Sequence, residues 1–270
     1  MEISRGIKIT TIAASTTAGF IVALWGYVQF FPSFAFHSSI ALALTIGCVG
    51  PAILFQIEFR RRNSIDENLP RLIEDLAESQ ETGMTLLQSL EESAKRKYGP
   101  LTSELRLLVA QLSWGIEFGE AFKAFAKRAK TETAEKTVVL VLQAIRHGGD
   151  LKKIFGSTAA FTRKIIEIRK ESKAQLRQYV FTIYTIIIVF QVILVVLFQS
   201  LFTTPTQTSR FLISAASPDK LKLVLTDLST VEAMFAGLIA GKLSEGTMRM
   251  GLKHSIVLLL ISWFVTTFYL

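Results

Sequence analysis

The hydrophobic positions of this chain fall into long runs without charge, separated by one charged stretch with helical periodicity. From Lys8 to Glu58 no Asp, Glu, Lys or Arg intervenes, so this window can hold two helices that each cross a hydrocarbon core of about 30 Å. Pro32 lies near its middle, where a proline interrupts a continuous helix. Two further charge-free runs cover residues 178–209 and 255–270. The pattern predicts a polytopic membrane protein with about four transmembrane helices.

The charged stretch between the second and third runs reads as helix almost throughout. Its first helix places Leu69, Leu72, Ile73 and Leu76 at i, i+3 and i+4 spacing, and this spacing indicates one buried face. Pro70 is expected in the first turn of that helix, where proline is tolerated. Six helices are predicted, the last of them continuing into the third membrane run: 66–81, 85–97, 101–114, 117–130, 132–146 and 150–176.

Lysine and arginine beside the runs indicate which side each connection faces. Arg60, Arg61 and Arg62 follow the second run, whereas the connection around Pro32 has neither residue type. Because short cytoplasmic segments are enriched in Lys and Arg, the N-terminus and the charged stretch are expected in the cytoplasm. The first run is too long for a signal peptide and has no convincing cleavage site, so it is expected to remain as a membrane span.

The fold class predicted is therefore all-α, with a cytoplasmic six-helix bundle inserted between the second and third transmembrane helices. Five segments are expected along the chain: two N-terminal transmembrane helices in 1–62, the cytoplasmic helical domain in 63–176, the third transmembrane helix in 177–202, an extracytoplasmic loop in 203–228, and a glycine-rich short helix followed by the final transmembrane helix in 229–270.

One glycine pattern occurs three times in the helical domain, at separations of 32 and 33 residues. It begins at Gly83, Gly115 and Gly148 and places large apolar residues three and seven positions later. Glycine adopts the left-handed conformation that ends a helix. The residues two positions after each glycine are Thr85, Glu117 and Asp150, and Thr or Asp there can cap the next helix better than Glu. The repeat therefore predicts three helical hairpins.

The C-terminal part contains a second glycine spacing. Gly237 and Gly241 form a GxxxG pattern, which permits close approach of two helices in a membrane. Glu232, Lys242 and Glu245 favour a short or re-entrant helix at this place over a complete fifth span, although a fifth span is the open alternative. That alternative would move the C-terminus to the outside.

Residues that could carry catalysis or bind a cofactor are scarce. The three histidines, His37, His147 and His254, are far apart in the sequence, and no metal-binding, P-loop or nucleophile motif accompanies them. The single cysteine, Cys48, lies in an apolar run. The net charge of +8 is explained by membrane orientation rather than by nucleic-acid binding. We predict a protein that is not an enzyme and needs no cofactor or metal.

The order, spacing and placement of the glycine patterns resemble the type II secretion system F domain family. This family includes the GspF and PilC platforms, the TadB and TadC pair and the archaeal FlaJ proteins. The similar region runs from about Leu69 to Leu201, and its markers are Gly83 to Leu90, Gly115 to Phe122 and Gly148-Gly149-Asp150-Leu151. The ending from Gly237 to Leu260 is similar to the close of archaeal FlaJ-like members.

The resemblance implies a platform in the cell membrane for a type IV pilus-like or type II secretion machine. It implies a hexameric secretion ATPase and pilin-like subunits as partners. Many members carry two F domains in tandem, whereas this chain shows one and lacks the proline-bearing signature of the bacterial two-domain platforms. A dimer is implied, either with itself or with a second F-domain membrane protein. The basic residues predicted as ATPase contacts are Arg60, Arg61, Arg62, Lys123, Lys127, Arg128, Lys152 and Lys153.

Two other functions stay open at this point. An oligomeric membrane channel would need a polar stripe along its pore, but the polar residues of the apolar runs are scattered. A membrane adaptor for a different ATPase would share the fold but have other partners.

Overall fold

A computed structural model describes residues 5–31, 33–146, 151–203 and 218–270, and these residues form helices joined by short turns. The all-α prediction is confirmed for this part of the chain. The helices are α1 (Arg5–Phe30), α2 (Phe34–Glu81), α3 (Leu86–Lys95), α4 (Pro100–Ser113), α5 (Phe118–Ala129), α6 (Glu132–Arg146), α7 (Leu151–Thr203), α8 (Pro218–Glu245) and α9 (Leu252–Tyr269), with a 3₁₀ turn at Met248–Gly251.

The helices group into two compact units. The first, which we call the bundle, comprises Ile57–Ser172, and the second, which we call the apolar unit, comprises Glu2–Gln56 and Lys173–Leu270. Among the described residues, five helices are long and apolar enough to cross a membrane: α1, α2, α7, α8 and the helix that ends at Tyr269. The chain thus has several helices that can span a bilayer.

The C-terminal part differs from the expectation of a loop to residue 228 followed by a short helix. Helix α8 begins at Pro218 and has 28 residues. Proline fits the first turn of a helix because the N–H it lacks has no helical partner there. Glu232, Lys242 and Glu245 favour a short helix in the sequence, but the polar residues Thr226, Ser229 and Thr230 of this helix are buried. Burial against neighbouring helices makes their polarity compatible with a long helix.

Helix α2 also differs from the prediction, because it has 48 residues without interruption. The sequence predicts a membrane helix that ends near residue 62 and a separate bundle helix that begins at residue 66. Pro70 was expected in a first turn but lies in the interior of α2, where it is buried. Between Pro51 and Gly83 it is the only proline or glycine, and a single proline bends a helix more readily than it ends one when packing holds both halves.

The bundle closes around a core to which each of its helices contributes. The prediction that the last bundle helix continues into the third apolar run agrees with α7, which has 53 residues. Leu90, Phe122 and Phe155, which occupy the same position in the three repeats, line one small cavity in this core. Since each lies near the start of its helix, the starts of α3, α5 and α7 meet at one end of the bundle.

The two described glycine turns have the same backbone structure. Gly83 and Gly115 have φ values of +84° and +83°, in the left-handed region predicted for them. In the first turn the Met84 N–H donates to the Ser79 carbonyl at 3.2 Å, and in the second the Ile116 N–H donates to the Gln111 carbonyl at 3.1 Å. Both are six-to-one bonds of the Schellman type. Gly148, Gly149 and Asp150 lie outside the described residues.

Capping differs between the two turns, as their sequences predict. Thr85 forms a capping box with Gln88: the Thr85 N–H donates to Gln88 Oε1 at 2.9 Å, and the Gln88 N–H donates to Thr85 Oγ1 at 3.4 Å. Glu117 occupies the equivalent position before α5 but makes no side-chain cap bond. The first hairpin is therefore capped by its side chains, and the second depends on glycine and on packing.

In the apolar unit, α8 and α9 approach so closely that side chains do not fit between them. A Cβ added to Gly237 would lie 2.2 Å from the Ser255 backbone nitrogen, and one added to Gly241 would lie 2.0 Å from the Gly251 Cα. These glycines form the GxxxG spacing, and the close helix packing matches what that spacing permits.

A buried polar cluster joins three helices of the apolar unit. Gln191 of α7 donates from Nε2 to Ser229 Oγ of α8, and Ser229 Oγ lies 2.6 Å from Ser262 Oγ of α9. Gln191 is 2 % exposed, and both serines are fully buried. In an apolar surrounding such groups need partners from the protein itself, so the cluster specifies how α7, α8 and α9 pack.

The glycine turns make a first prediction. We expect Gly115→Ala to lower the free energy of unfolding by about 1–2 kcal/mol, because a Cβ is strained in the left-handed region. No heavy atom lies within 4 Å of the added methyl group, so the cost comes from the backbone alone. Gly156→Ala is the matched control: Gly156 lies inside α7 with equally open space, and alanine there is expected to be neutral or stabilising.

The measurement is chemical denaturation of the full chain in mild detergent, followed by circular dichroism. Equal midpoints for Gly115→Ala and the parent protein would contradict the role of this turn.

Candidate functional site

The predicted contact residues occur in three groups on three helices of the bundle. Arg60, Arg61 and Arg62 lie in α2, Lys123, Lys127 and Arg128 lie in α5, and Lys152 and Lys153 lie in the first turn of α7. Arg60, Lys123, Lys127 and Lys153 are exposed. Among the contact residues whose side chains the structure describes, Arg61 and Arg128 are the two from different groups that come together, and a carboxylate lies between them.

That carboxylate is Glu104 of α4. Arg61 Nη2 lies 2.6 Å from Glu104 Oε1, and Arg128 Nε lies 3.0 Å from Glu104 Oε2. The side chains are 13 %, 27 % and 12 % exposed for Arg61, Arg128 and Glu104. A carboxylate that is so well covered needs charged partners, because its own desolvation is costly. Arg61 of α2 and Arg128 of α5 therefore connect their helices to α4 through Glu104. The sequence does not predict this structural role.

A second buried cluster surrounds Tyr98, which follows α3 and has no exposed surface. Its hydroxyl donates to Asp75 of α2, and Arg96 Nη1 lies 3.0 Å from the other Asp75 oxygen. The Arg71 guanidinium lies 5.7 Å from the centre of the Tyr98 ring. Burial, followed by the bond and charge of Asp75, raises the pKa of Tyr98 to about 12. In the sequence this cluster is marked only by Tyr98, which stands directly before Gly99 and Pro100 at the start of α4.

A third cluster joins α2, α6 and α7. Arg169 Nη1 lies 3.2 Å from Asp66 Oδ2 and 3.1 Å from Thr133 Oγ1, and Arg169 Nη2 lies 3.6 Å from Glu132. Burial raises the pKa of Asp66, and hydrogen bonds from Thr131 and Thr133 together with the charge of Arg169 oppose that rise. Asp66 and Arg169 are far apart in the sequence, so no local spacing of residues predicts that they form an ion pair.

Large apolar side chains are exposed at the two glycine turns. Met84 and Ile116, each directly after its glycine, are 40 % and 36 % exposed, and Trp114 is 85 % exposed. Glu117 and Glu120, beside the second turn, are also exposed. None of these residues is among the predicted contact residues, which are all basic.

The described residues contain no group of three or more His, Cys, Asp or Glu side chains placed to hold a metal ion. Two histidines of the apolar unit have partners: His37 Nδ1 lies 2.7 Å from Asp227, and His254 Nδ1 lies 2.9 Å from the Tyr184 hydroxyl. His147 lies outside the described residues. The bundle is thus a packed body that buried ion pairs stabilise, with basic and apolar side chains exposed on its surface.

Residues 72–198 match the family model of type II secretion system (T2SS), protein F. An uncharacterized protein of Methanocaldococcus jannaschii is 26 % identical over 208 residues, which are 77 % of this chain and 34 % of that protein. Flagella accessory protein J of the same organism is 24 % identical over 147 residues, which are 54 % of this chain and 26 % of that protein.

The matched region thus spans about a third of the length of the first relative and about a quarter of the length of the second. No solved structure matches it.

The Glu104 cluster makes a second prediction. We expect Glu104→Gln to lower the free energy of unfolding by about 2–4 kcal/mol, because two covered arginines lose their shared counter-charge. Glu92→Gln is the control: Glu92 pairs with Lys95 within one exposed helix face at 2.7 Å, and such pairs contribute little. Denaturant midpoints of the full chain measure both. If the two variants lose the same small amount, Glu104 does not stabilise the bundle.

Tyr98 makes a third prediction, concerning alkaline pH. Its ordinary pKa of 10.0 rises to about 12 in the fold, so folding favours the protonated phenol. The stability that this provides is complete below the unfolded value and is lost as the pH rises from 10 towards 12. Tyr98→Phe should therefore be less stable than the parent at neutral pH and should lose less stability over this alkaline window.

The measurement is the denaturant midpoint at neutral pH and at intervals up to about pH 12. Tyr179→Phe serves as control because Tyr179 is exposed. An identical alkaline decline in Tyr98→Phe and in the parent protein would disprove the assignment.

Proposed function

We propose that the chain is a membrane platform that couples a cytoplasmic secretion ATPase to the assembly of pilin-like subunits, because residues 72–198 match the family model of type II secretion system protein F. The machine would be of the type IV pilus-like or type II secretion kind. The observation that carries the proposal is the extent of the match. It covers the core helices of the bundle and also the apolar part of α7.

The similarity to a flagella accessory protein supports a filament-forming machine. A platform needs no catalytic centre of its own, because ATP hydrolysis takes place in the partner. The clusters around Glu104, Tyr98 and Arg169 then serve to keep the bundle intact while force acts on it. We place the protein in the cell membrane as a multi-pass protein.

The proposed topology has five spans rather than about four. The N-terminus with Lys8 and the bundle with Arg60–Arg62 lie in the cytoplasm, because short cytoplasmic segments are rich in Lys and Arg. Alternation of five spans then places the connection between α8 and α9 in the cytoplasm, together with Lys242, Arg249 and Lys253. The C-terminus lies outside in this topology.

In the proposal, two continuous helices couple movement of the bundle to the apolar unit. Helices α2 and α7 each belong in part to the bundle and in part to the apolar unit, and neither has a break. A continuous helix transmits displacement better than a flexible linker, since its backbone hydrogen bonds resist bending. In the proposal, the ATPase moves the bundle, and α2 and α7 carry this movement into the membrane, where pilin-like subunits are taken up.

The partners follow from the family. A second F domain completes the platform, supplied by another copy of the chain or by a different F-domain membrane protein. The contact residues proposed for the ATPase are those whose charges are exposed or lie in the first turn of α7: Arg60, Lys123, Lys127, Lys152 and Lys153. Arg61 and Arg128 are engaged with Glu104, and Arg62 pairs with Glu58 in its own helix.

The fourth prediction tests this function. Gentle solubilisation from native membranes, followed by mass spectrometry, should recover a secretion-type ATPase and a pilin-like subunit with the chain. Reversing two exposed charges of α5, in Lys123→Glu with Lys127→Glu, should reduce the recovered ATPase at least several-fold and leave the fold intact. Lys97→Glu, an exposed change on the turn between α3 and α4, is the control and should retain the ATPase.

Two results would overturn the proposal. One is recovery of neither partner after crosslinking, with the chain forming a conducting homo-oligomer in liposomes, which would indicate a channel. The other is recovery of an ATPase together with transport subunits instead of pilin-like ones, which would indicate an adaptor for another machine.

A further inference from the structure

Helix α8 places the carboxylate of Glu232 at the middle of its apolar stretch. The lysines at the two ends of this stretch, Lys222 and Lys242, each lie ten residues from Glu232, which is about 15 Å along a helix. The hydrocarbon core of a bilayer is about 30 Å thick. A span with these lysines at its two ends therefore holds Glu232 near the centre of the bilayer, where an ionisable group is costly and usually has a function.

The Glu232 carboxylate lacks a partner for one of its oxygens in the described part of the chain. Its Oε2 atom is buried and has no hydrogen-bond partner. The acids before and after it on α8 are paired: Asp227 lies 2.7 Å from His37 Nδ1, and Glu245 lies 3.2 Å from Lys253 Nζ. The apolar unit thus supplies partners to its other acids in this part of α8 but leaves Glu232 incomplete.

Glu232 lies on the face of α8 that the neighbouring helices leave uncovered. Residues at i−4, i+3 and i+7 share one face of a helix with residue i, and for Glu232 these three are large apolar residues that are each about half exposed. They are Leu228, Phe235 and Ile239. Ala233, directly after Glu232, is by contrast fully buried. In a bilayer this face meets lipid unless another membrane helix covers it, and lipid offers a carboxylate no partner.

The chain itself does not carry the cation that Glu232 needs at this depth. Its other apolar runs, residues 9–57, 178–209 and 255–270, contain no Lys or Arg. A second copy of the chain would bring the same runs and a second Glu232, and two like charges repel each other. Charge complementarity therefore favours a different membrane protein, since acids inside membranes pair with basic groups.

We propose that the face of α8 around Glu232 binds a membrane helix of another protein, and that this helix carries an ammonium or guanidinium group in the middle of its apolar segment. Glu232 accepts hydrogen bonds from this group, and Leu228 and Phe235 pack beside it. The inference rests on the proposed function only for the insertion of α8 as a span. It goes beyond that function by assigning the residue and the chemistry of a contact within the bilayer.

The fifth prediction uses a defined probe. The full chain is reconstituted in phosphatidylcholine vesicles with a synthetic leucine–alanine helix of about 20 residues, the length of a span, which carries one lysine at its centre. The matched peptide carries glutamine there instead. Energy transfer between the labelled chain and the labelled peptide measures association. We expect the lysine peptide to associate at least about 3-fold more strongly, which is the effect of an average polar contact between membrane helices.

Variants of the chain assign this preference to one side chain. Glu232→Gln should bind both peptides equally, because an amide has no charge to offer the lysine. Asp227→Asn is the matched control in the same helix and should keep the preference of the parent, since Asp227 is engaged with His37. Glu232→Lys should instead prefer a peptide with a central glutamate. Glu232→Gln should keep at least the parent's denaturant midpoint, because it removes a charge that lacks a counter-charge.

Crosslinking in native membranes gives the second measurement. A photoreactive phenylalanine analogue is placed at position 235 of the full chain, or at position 192 of α7 as control, because Phe235 is 59 % and Val192 is 56 % exposed. We expect position 235 to yield adducts with a membrane segment that contains Lys, Arg or a free amino terminus. Glu232→Gln should abolish these adducts and leave those of position 192 unchanged.

Three results would overturn the inference. They are equal association of the lysine and glutamine peptides with the parent chain, adducts of position 235 with lipid or a second copy only, and rapid reaction of Glu232→Cys, in a Cys48→Ser chain, with a membrane-impermeant maleimide. The last would show that water rather than a helix meets the carboxylate. The proposed function fails separately, if neither ATPase nor pilin-like subunit is recovered, and the preference for the lysine peptide would stand in that case.

Discussion

Reversal of the chain at a left-handed glycine is the constraint on which the bundle depends. At Gly83 and Gly115 the backbone takes positive φ, so a helix ends and the next one starts within four residues. This short reversal places the apolar residue seven positions later in the shared core, and Leu90, Phe122 and Phe155 meet there. A longer connection would let each helix begin elsewhere, and the three repeats would no longer converge.

Charge has two separate functions in this chain. Some arginines stabilise the bundle from within, as Arg61 and Arg128 do on Glu104 and Arg169 does on Asp66. Others remain on exposed faces, where membrane orientation and partner binding can use them. The net positive charge therefore does not by itself identify the contact residues, because a partner cannot reach the arginines that are covered.

Local signals in the sequence predicted much of the fold. The boundaries of α3 to α6 follow from glycine, caps and apolar periodicity, so they were predicted to within a few residues. The continuity of α2 was not predicted, because a proline and a charge cluster look like a boundary when packing is unknown. The full length of α8 was not predicted for a related reason: Glu232, Lys242 and Glu245 favour a short helix when the packing of neighbouring helices is unknown. The ion pairs of Glu104 and Arg169 depend on long-range contacts, which no single-sequence pattern contains.

The buried polar cluster of the apolar unit bears on how its helices can move. Gln191 reaches Ser229, and Thr226 lies one turn before Ser229 on the same helix with a buried hydroxyl that has no partner in the described structure. An amide in hydrocarbon is penalised at every position where it lacks a partner. A displacement of α7 along α8 would therefore leave the buried Gln191 amide without Ser229, so the cluster holds the two helices in one register.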